Sequence, residues 1–117
     1  MAAPNIVGVT TITGKTAVAV LTASAAAIVT NSGSSGKVFK VNSLYVSNVD
    51  GTSNYSLTLD LYRSSTAYRI AYQLVVPAGA TMDVLTKAIY LEEGDSLRAF
   101  GSTTLKLEAV CSYEEIS

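Results

Sequence analysis

Two short motifs in this chain carry residue types that other proteins use for catalysis or phosphate binding. Gly94-Asp95-Ser96-Leu97 matches a serine-esterase signature, in which the serine is activated by a histidine held by an acid. The chain has no histidine, and the motif lies in its last quarter, whereas those esterases carry it near the start. We therefore predict a turn: Gly94 bends the chain, Asp95 caps the turn and Leu97 returns to the core.

The second motif, Gly14-Lys15-Thr16, is similar to the end of a phosphate-binding loop. That loop needs a glycine five positions before Gly14, where this chain has Val9, and Gly8 lies one residue too early. The loop must also lead into a helix, whose terminal amides hold the phosphates. The following segment alternates like a strand, so we predict no nucleotide site.

The remaining candidate groups for chemistry are acids, one glycosylation pattern and one thiol. Six acids lie in or near turns without calcium-loop spacing, so we expect them to be solvated and expect no metal or cofactor. Asn54-Tyr55-Ser56 fits a glycosylation pattern that matters only in a eukaryotic secreted protein. Cys111 is the only cysteine and lies on an apolar strand face, which predicts a core position rather than a reactive thiol. The acids are Asp50, Asp60, Asp83, Glu92, Glu93 and Asp95.

Charge and composition restrict the partners of the chain. Eight Lys and Arg are spread among nine Asp and Glu, for a net charge of −1, so there is no basic cluster for nucleic acid. No apolar run approaches the ~20 residues that span a bilayer. Only 15% of residues are charged, which leaves much of the surface to Ser, Thr, Ala and Tyr and indicates burial in an assembly. We predict a non-enzymatic protein with no small-molecule substrate.

The elements that position these residues are short strands. Period-two alternation recurs along most of the chain, for example Leu57, Leu59 and Leu61 against Thr58, Asp60 and Tyr62. The pattern predicts one domain over 1–117, an all-β antiparallel β-sandwich of about eight strands, with a jelly roll as one candidate topology. A short helix is an alternative only in the alanine-rich stretch 23–27. The predicted strands cover 5–12, 16–30 with a break, 37–49, 54–63, 67–76, 81–91, 96–101 and 104–114.

Tyrosines are the candidate contact residues, because seven are present and tryptophan is absent. Tyr45 and Tyr62 share strand faces with Ser47, Thr58 and Asp60, so we expect both rings to point away from the core. Aromatic side chains on a polar face are common at protein interfaces. The alternative is that they are scattered surface tyrosines that stiffen their strands.

Three segments resemble small virion-associated proteins of tailed bacteriophages, notably phages of cyanobacteria and other marine bacteria. They are residues 38–52 (VFKVNSLYVSNVDGT), 89–97 (IYLEEGDSL) and 112–117 (SYEEIS). The resemblance implies a structural protein of the particle, made in the cytoplasm of the bacterial host. Among such proteins, a small β-sandwich fits a capsid decoration, or cement, protein. These sit on the capsid exterior, usually as trimers, and clamp the major capsid protein, so the implied partners are that protein and further copies of the chain.

Both ends of the chain are candidates for strand exchange. Residues 1–12, with Ile6 and Val7, form a possible N-terminal strand or arm that could add to the sheet edge of a neighbour. Residues 113–117, with Tyr113 and Ile116, could do the same. The alternative for either end is an ordinary edge strand of its own domain.

Two other functions remain open at this point. One is a tail, collar, baseplate or fibre-associated protein of the same particle. The other is a carbohydrate- or receptor-binding sandwich in which Tyr45 and Tyr62 stack on sugar rings. The absence of tryptophan, the usual residue for sugar stacking, argues against the second.

Overall fold

The computed structural model describes residues 6–117, which fold into two antiparallel sheets. The predicted all-β antiparallel sandwich is confirmed, with nine strands among the described residues, while the jelly-roll topology stays a prediction. No helix in this part of the chain is long and apolar enough to cross a membrane. A 3₁₀ turn covers Ile6–Gly8, and the strands are β1 (Ile12–Val20), β2 (Ala26–Thr30), β3 (Val38–Asn48), β4 (Tyr55–Arg63), β5 (Thr66–Val76), β6 (Thr81–Asp83), β7 (Ile89–Leu91), β8 (Ser96–Gly101) and β9 (Leu107–Ile116).

The two sheets have different strand orders. Sheet A runs β1-β9-β3-β6, with β7 also paired to β3, and sheet B runs β2-β8-β4-β5. Each pairing is antiparallel. Strands β1, β2 and β5 therefore each form an edge of their sheet.

The core lies between the inner faces of the two sheets. Alternation along the strands turns every second side chain inward, as the sequence predicts. In β4, for example, Leu57 and Leu59 are buried. The largest fully buried apolar side chains come from strands of both sheets: Leu44, Leu57, Leu59, Leu91, Leu97, Leu107, Val41, Val46 and Val76.

The strand predicted over 5–12 does not form in the described part of the chain, where Ile6–Gly8 make a 3₁₀ turn and only Ile12 belongs to a strand. The prediction placed a strand over 5–12, whereas β1 begins at Ile12, opposite Ile116 near the end of β9. The residues just before Ile12 therefore lie beyond the end of β9. There the amides of Thr10 and Thr11 both donate to the Ser117 carbonyl at 3.0 Å. Residues 1–5 of the predicted arm lie outside the described part of the chain.

One predicted strand is divided in two, and the predicted short helix does not form. The predicted strand 81–91 is split into β6 and β7, which pair with opposite halves of β3. The register of β3 shifts between Val41 and Ser43, and the gap between β6 and β7 faces that bulge. The alanine-rich stretch 23–27 forms no helix, since β2 begins at Ala26.

Strand β5 departs from simple alternation. Its sequence predicts one face of Tyr68, Ile70, Tyr72, Leu74 and Val76, but Tyr72 is 62% exposed while Val76 is fully buried. The register against β4 passes from Leu57↔Leu74 to Leu59↔Ala71, so Tyr72 and Gln73 together face Thr58. This bulge, with Gln73 at φ 51°, turns the Tyr72 ring outward.

Candidate binding surfaces

The esterase-like motif forms the predicted turn, between β7 and β8. Gly94 has φ 89°, and Asp95 caps the turn because its Oδ2 accepts a hydrogen bond from the Glu92 amide at 2.8 Å. Arg63 donates to both Asp95 oxygens, from Nε to Oδ1 at 2.8 Å and from Nη2 to Oδ2 at 2.5 Å. Ser96 is buried at the start of β8. The motif is therefore a structural element held by an ion pair.

The Arg63 contact changes the acidity of Asp95. Burial favours the neutral carboxyl, but the hydrogen bonds from Arg63 and the Glu92 amide outweigh it and hold the pKa of Asp95 below its ordinary value. The same hydrogen bond with Asp95 raises the pKa of Arg63. Glu92 adds a second ion pair to Arg63 at 2.8 Å. These groups satisfy one another and anchor the turn to the end of β4.

Gly14-Lys15-Thr16 lies within strand β1 and is not a loop. Lys15 forms an ion pair with Glu115 at 2.8 Å, and Lys37 forms another with the same carboxylate at 3.1 Å. The hydrogen bond with Lys15 lowers the pKa of Glu115 and raises the pKa of Lys15. The lysine of the motif therefore helps to fasten β1 to β9.

The acids, the glycosylation pattern and the thiol occupy separate positions in the described part of the fold. Among residues 6–117, no three side chains of the kinds that hold metals come together. Asn54 Oδ1 accepts a hydrogen bond from the Ala78 amide at 3.0 Å. Cys111 is 0% exposed in β9, and burial raises the pKa of its thiol to about 11. Its prediction as a core residue is confirmed.

Tyr45 and Tyr62 both point away from the core, as predicted, but from different sheets. Tyr45 lies on the outer face of sheet A and is 46% exposed. Tyr62 lies on the outer face of sheet B, half-buried, with the Arg98 guanidinium carbon 4.1 Å from its ring centroid. The two rings therefore cannot form one sugar-stacking platform, because the core separates them.

The predicted terminal contact residues are placed differently from one another. Tyr113 and Ile116 lie in β9, a central strand between β1 and β3, so this end is neither a reaching tail nor the edge strand given as its alternative. Tyr113 packs on the core with its ring centroid 5.5 Å from that of Phe39, and Ile116 is buried. Val7 is 95% exposed in the 3₁₀ turn. Ile6 opens the same turn, and its side chain lies outside the described part of the structure.

An apolar surface crosses three strands of sheet A, and Tyr45 is the one residue in it that was predicted from the sequence as a contact residue. Val18 of β1 pairs with Val110 of β9, which pairs with Tyr45 of β3, so the three side chains form one row on the outer face. Val20 lies two residues along β1 on the same face. We name these four residues the valine patch; their exposures are 75% for Val18, 49% for Val20, 42% for Val110 and 46% for Tyr45.

The outer face of sheet B carries a polar site instead. Asp60 of β4 lies between its register partners Arg69 of β5 and Arg98 of β8. Its side chain is 3% exposed, and Oδ2 accepts a hydrogen bond from Arg69 Nη1 at 2.6 Å. Its other oxygen, Oδ1, is buried with no hydrogen-bond partner among the described residues. The hydrogen bond between Arg69 and Asp60 raises the pKa of Arg69.

A shallow pocket of about 220 Å³ lies beside this pair on sheet B. The bulge of β5 brings Tyr72 and Gln73 to its rim, and Arg69 stands over Tyr72 with its guanidinium carbon 5.4 Å from the ring centroid. The signal for Tyr72 in the sequence was misleading, because strict alternation places it inward. The pocket is lined by Ser56, Thr58, Arg69, Tyr72, Gln73, Phe100, Gly101 and Ser102.

Comparison with known proteins finds similarity of fold. No protein-family model and no curated protein matches the chain. The protein of Bacillus endospore appendages, described as disulfide-linked pili, aligns with a TM-score of 0.51 and 19% identity over 90% of this chain and 87% of its own. A pentameric capsid protein from metagenomic phage sequences aligns with a TM-score of 0.45 and 14% identity, over 84% of this chain and 59% of its own. The Bacillus protein is thus similar to this chain in fold.

Proposed function

We propose that this chain is a non-enzymatic structural protein of a phage particle, and specifically a capsid decoration protein on the outer surface of the major capsid lattice. The observation that carries the structural, assembling role is the valine patch. Apolar side chains gathered in a row on an exposed sheet face are a mark of protein–protein contact. The assignment to a phage particle is supported by the resemblance of residues 38–52, 89–97 and 112–117 to small virion proteins.

The placement of the candidate nucleophiles supports a role without catalysis. Ser96 and Cys111 are both buried, and the chain has no histidine to activate either of them. Lys15 is paired with Glu115 within sheet A. The surfaces available to a partner protein are the outer faces of the two sheets and their edge strands.

We propose that the valine patch is buried against another copy of the chain in a trimer. A cyclic trimer places three equal footprints on a symmetric lattice, so each copy adds to the avidity of the others. Strand β1, which carries Val18 and Val20, is also an edge strand of sheet A and can accept an added strand. An N-terminal arm would have to come from residues before Thr10, because Thr10 and Thr11 bind Ser117 of their own domain.

We infer that contacts between folded copies are not disulfide-linked. The Bacillus appendage protein is described as forming disulfide-linked pili. The one cysteine of this chain is fully buried in β9, so it cannot reach a cysteine of a neighbour without unfolding that strand. Assembly therefore depends on apolar burial and strand contacts.

The first test measures the mass of the purified chain by light scattering, with Val18→Lys and the matched control Val75→Lys. Val75 is 52% exposed on strand β5 of the other sheet. We expect a trimer for the native chain and for Val75→Lys, and a monomer for Val18→Lys, because the lysine charge would be desolvated in the interface. A native monomer, or equal effects of both substitutions, would contradict the role of the valine patch.

The second test places the protein in the particle. The purified chain is sedimented with isolated phage heads and, separately, with isolated tails. Saturable binding to heads, at a stoichiometry that follows the capsid lattice, is the expected result. Binding to tails alone would replace the decoration role with a tail or baseplate role, and binding to neither would refute a virion function.

A further inference from the structure

We propose that the pocket on the outer face of sheet B binds a neutral saccharide ring, with Tyr72 as the stacking surface. This inference is independent of the virion role proposed above, since that role depends on the valine patch of sheet A and the pocket lies on sheet B. It also differs from the sugar-stacking pair expected from the sequence, because Tyr45 and Tyr62 lie on opposite faces of the sandwich.

The first support is the presentation of Tyr72. Tyr72 is 62% exposed, although simple alternation would put it on the same face as Leu74 and Val76, which pack on the core. The outward direction depends on a two-residue bulge and on a left-handed backbone at Gln73, with φ 51°. A non-glycine residue with such a backbone is uncommon and occurs often at functional sites. Here the strained residue brings an aromatic ring to the edge of a pocket.

The second support is a set of polar groups around the ring that keep unused hydrogen-bonding capacity. Arg69 is tethered to Asp60 through Nη1 alone, and its Nε and Nη2 have no hydrogen-bond partner in the described chain. The side-chain amide of Gln73 has none either within residues 6–117. Thr58 Oγ1 accepts a hydrogen bond from the backbone amide of Gln73 at 3.3 Å, and Ser102 Oγ accepts one from the backbone amide of Ser56 at 3.0 Å. Both hydroxyls can therefore still donate a hydrogen bond.

The combination fits a sugar by its chemistry. A pyranose ring has an apolar face that packs on an aromatic ring and an edge of hydroxyls that both donate and accept hydrogen bonds. A guanidinium, a carboxamide and two hydroxyls can serve such an edge. Arg69 is the one charged group that lines the pocket, and its charge is balanced by Asp60. That balance favours a neutral ligand over a phosphate or another anion.

The size of the pocket limits how much ligand it holds. A volume of about 220 Å³ is below the range typical of drug-sized ligands and suits a single ring. We therefore expect weak binding of a monosaccharide, with a Kd of about 1 mM or above. Tighter binding would require a longer glycan or several copies of the site in one assembly.

The test is a titration of the isotope-labelled chain followed by amide chemical shifts. Glucose, galactose, mannose and N-acetylglucosamine are each added to about 50 mM, enough to saturate a site with a Kd of about 1 mM. At least one sugar should shift the amides of Gln73, Phe100 and Ser102, while the valine patch on sheet A stays unchanged. No shift with any of the four sugars would overturn the proposal.

Three variants separate the site from general effects on the fold. Tyr72→Ala should weaken binding about tenfold or more by removing the stacking surface. Tyr68→Ala is the matched control, since Tyr68 is 54% exposed on the same strand but does not line the pocket. Gln73→Gly removes the amide while suiting the left-handed backbone, so it should weaken binding without lowering stability. Equal affinity of Tyr72→Ala and the native chain, or equal losses for Tyr68→Ala and Tyr72→Ala, would refute the assignment.

Discussion

Ser96 and Cys111, two residues with nucleophilic side chains, both lie in strands and are buried. Ser96 opens β8 directly after a turn held by Arg63 and Asp95, so the neighbours of this serine are structural groups rather than a base. Cys111 alternates with exposed residues of β9, and its thiol fills part of the core. For both residues the buried surroundings, rather than the residue type, determine whether the side chain can react.

The first prediction concerns the reactivity of Cys111. Because burial raises the pKa of this thiol to about 11, the thiolate fraction at pH 8 is about 0.1%, and the sulfur is also screened from solvent. The folded chain should resist alkylation by iodoacetamide at pH 8, whereas the chain in urea should be labelled fully. Mass spectrometry over a time course gives both rates. Equal rates in the folded and unfolded chain would contradict the buried position.

At the scale of the elements, turns and bulges decide where side chains point. The bulge of β5 carries backbone strain at Gln73, which costs about 1–3 kcal/mol and must be offset by the surrounding packing. The turn before β8 uses Gly94 at φ 89°, a conformation in which glycine has no steric cost. Both positions therefore depend on a left-handed backbone, at Gln73 with a strain cost and at Gly94 without one.

The second prediction compares two glycines of similar surroundings. A Cβ added at Gly94 or at Gly33 meets no atom within 4 Å, but only Gly94 has positive φ. Gly94→Ala should lower the free energy of unfolding by about 1–2 kcal/mol through backbone strain alone. Gly33→Ala should change it by less than about 0.5 kcal/mol. Urea denaturation measures both, and equal losses would show that the turn does not depend on its left-handed residue.

At the scale of the whole molecule, paired carboxylates tie distant parts of the chain together. Asp95 links the turn before β8 to β4 through Arg63, and Glu115 links β9 to Lys15 of β1. Asp50 accepts hydrogen bonds from the Thr52 amide and the Tyr55 hydroxyl, and these hold its pKa well below the ordinary value. All three carboxyls have a lowered pKa in the folded chain.

The third prediction follows from the sign of those shifts. A carboxyl with a lower pKa in the folded state stabilises the fold fully above its unfolded pKa and loses that contribution as pH falls through the folded pKa. The ordinary values are 3.8 for Asp and 4.5 for Glu. The thermal midpoint measured by circular dichroism should therefore be nearly constant from about pH 7 to 5.5 and fall below about pH 4.5.

A variant tests the Asp95 part of this dependence. Arg63→Gln should be less stable than the native chain at pH 7, because Asp95 then stays buried without its cation. The difference should shrink as the pH falls through the folded-state pKa of Asp95, which lies below the ordinary 3.8, because the protonated carboxyl gains little from the arginine. Lys87→Gln, at an exposed lysine between β6 and β7, controls for the loss of one positive charge. A difference that stays constant from neutral to acid pH would mean that Arg63 acts through packing alone.

Much of the fold follows from local patterns in the sequence. The alternation of Leu57 and Leu59 with Thr58 and Asp60 predicts both the strand β4 and its inner face, because side chains of a strand alternate whatever its partners are. The turn at Gly94 is equally local. The same reasoning failed at Tyr72, since the bulge there results from the register against β4, which the sequence of β5 does not contain.

The surfaces of this protein depend on strand order, which no local pattern specifies. By itself the sequence determined an antiparallel β-sandwich, a buried Cys111 and outward-facing Tyr45 and Tyr62, because these depend on residue type and period. Only the tertiary structure decided that β9 is central, that the two tyrosines lie on opposite sheets, and that β1, β9 and β3 together form the valine patch. The physical reason is that these arrangements come from pairings between segments far apart in the chain, whose energies depend on the whole set of strands rather than on any one of them.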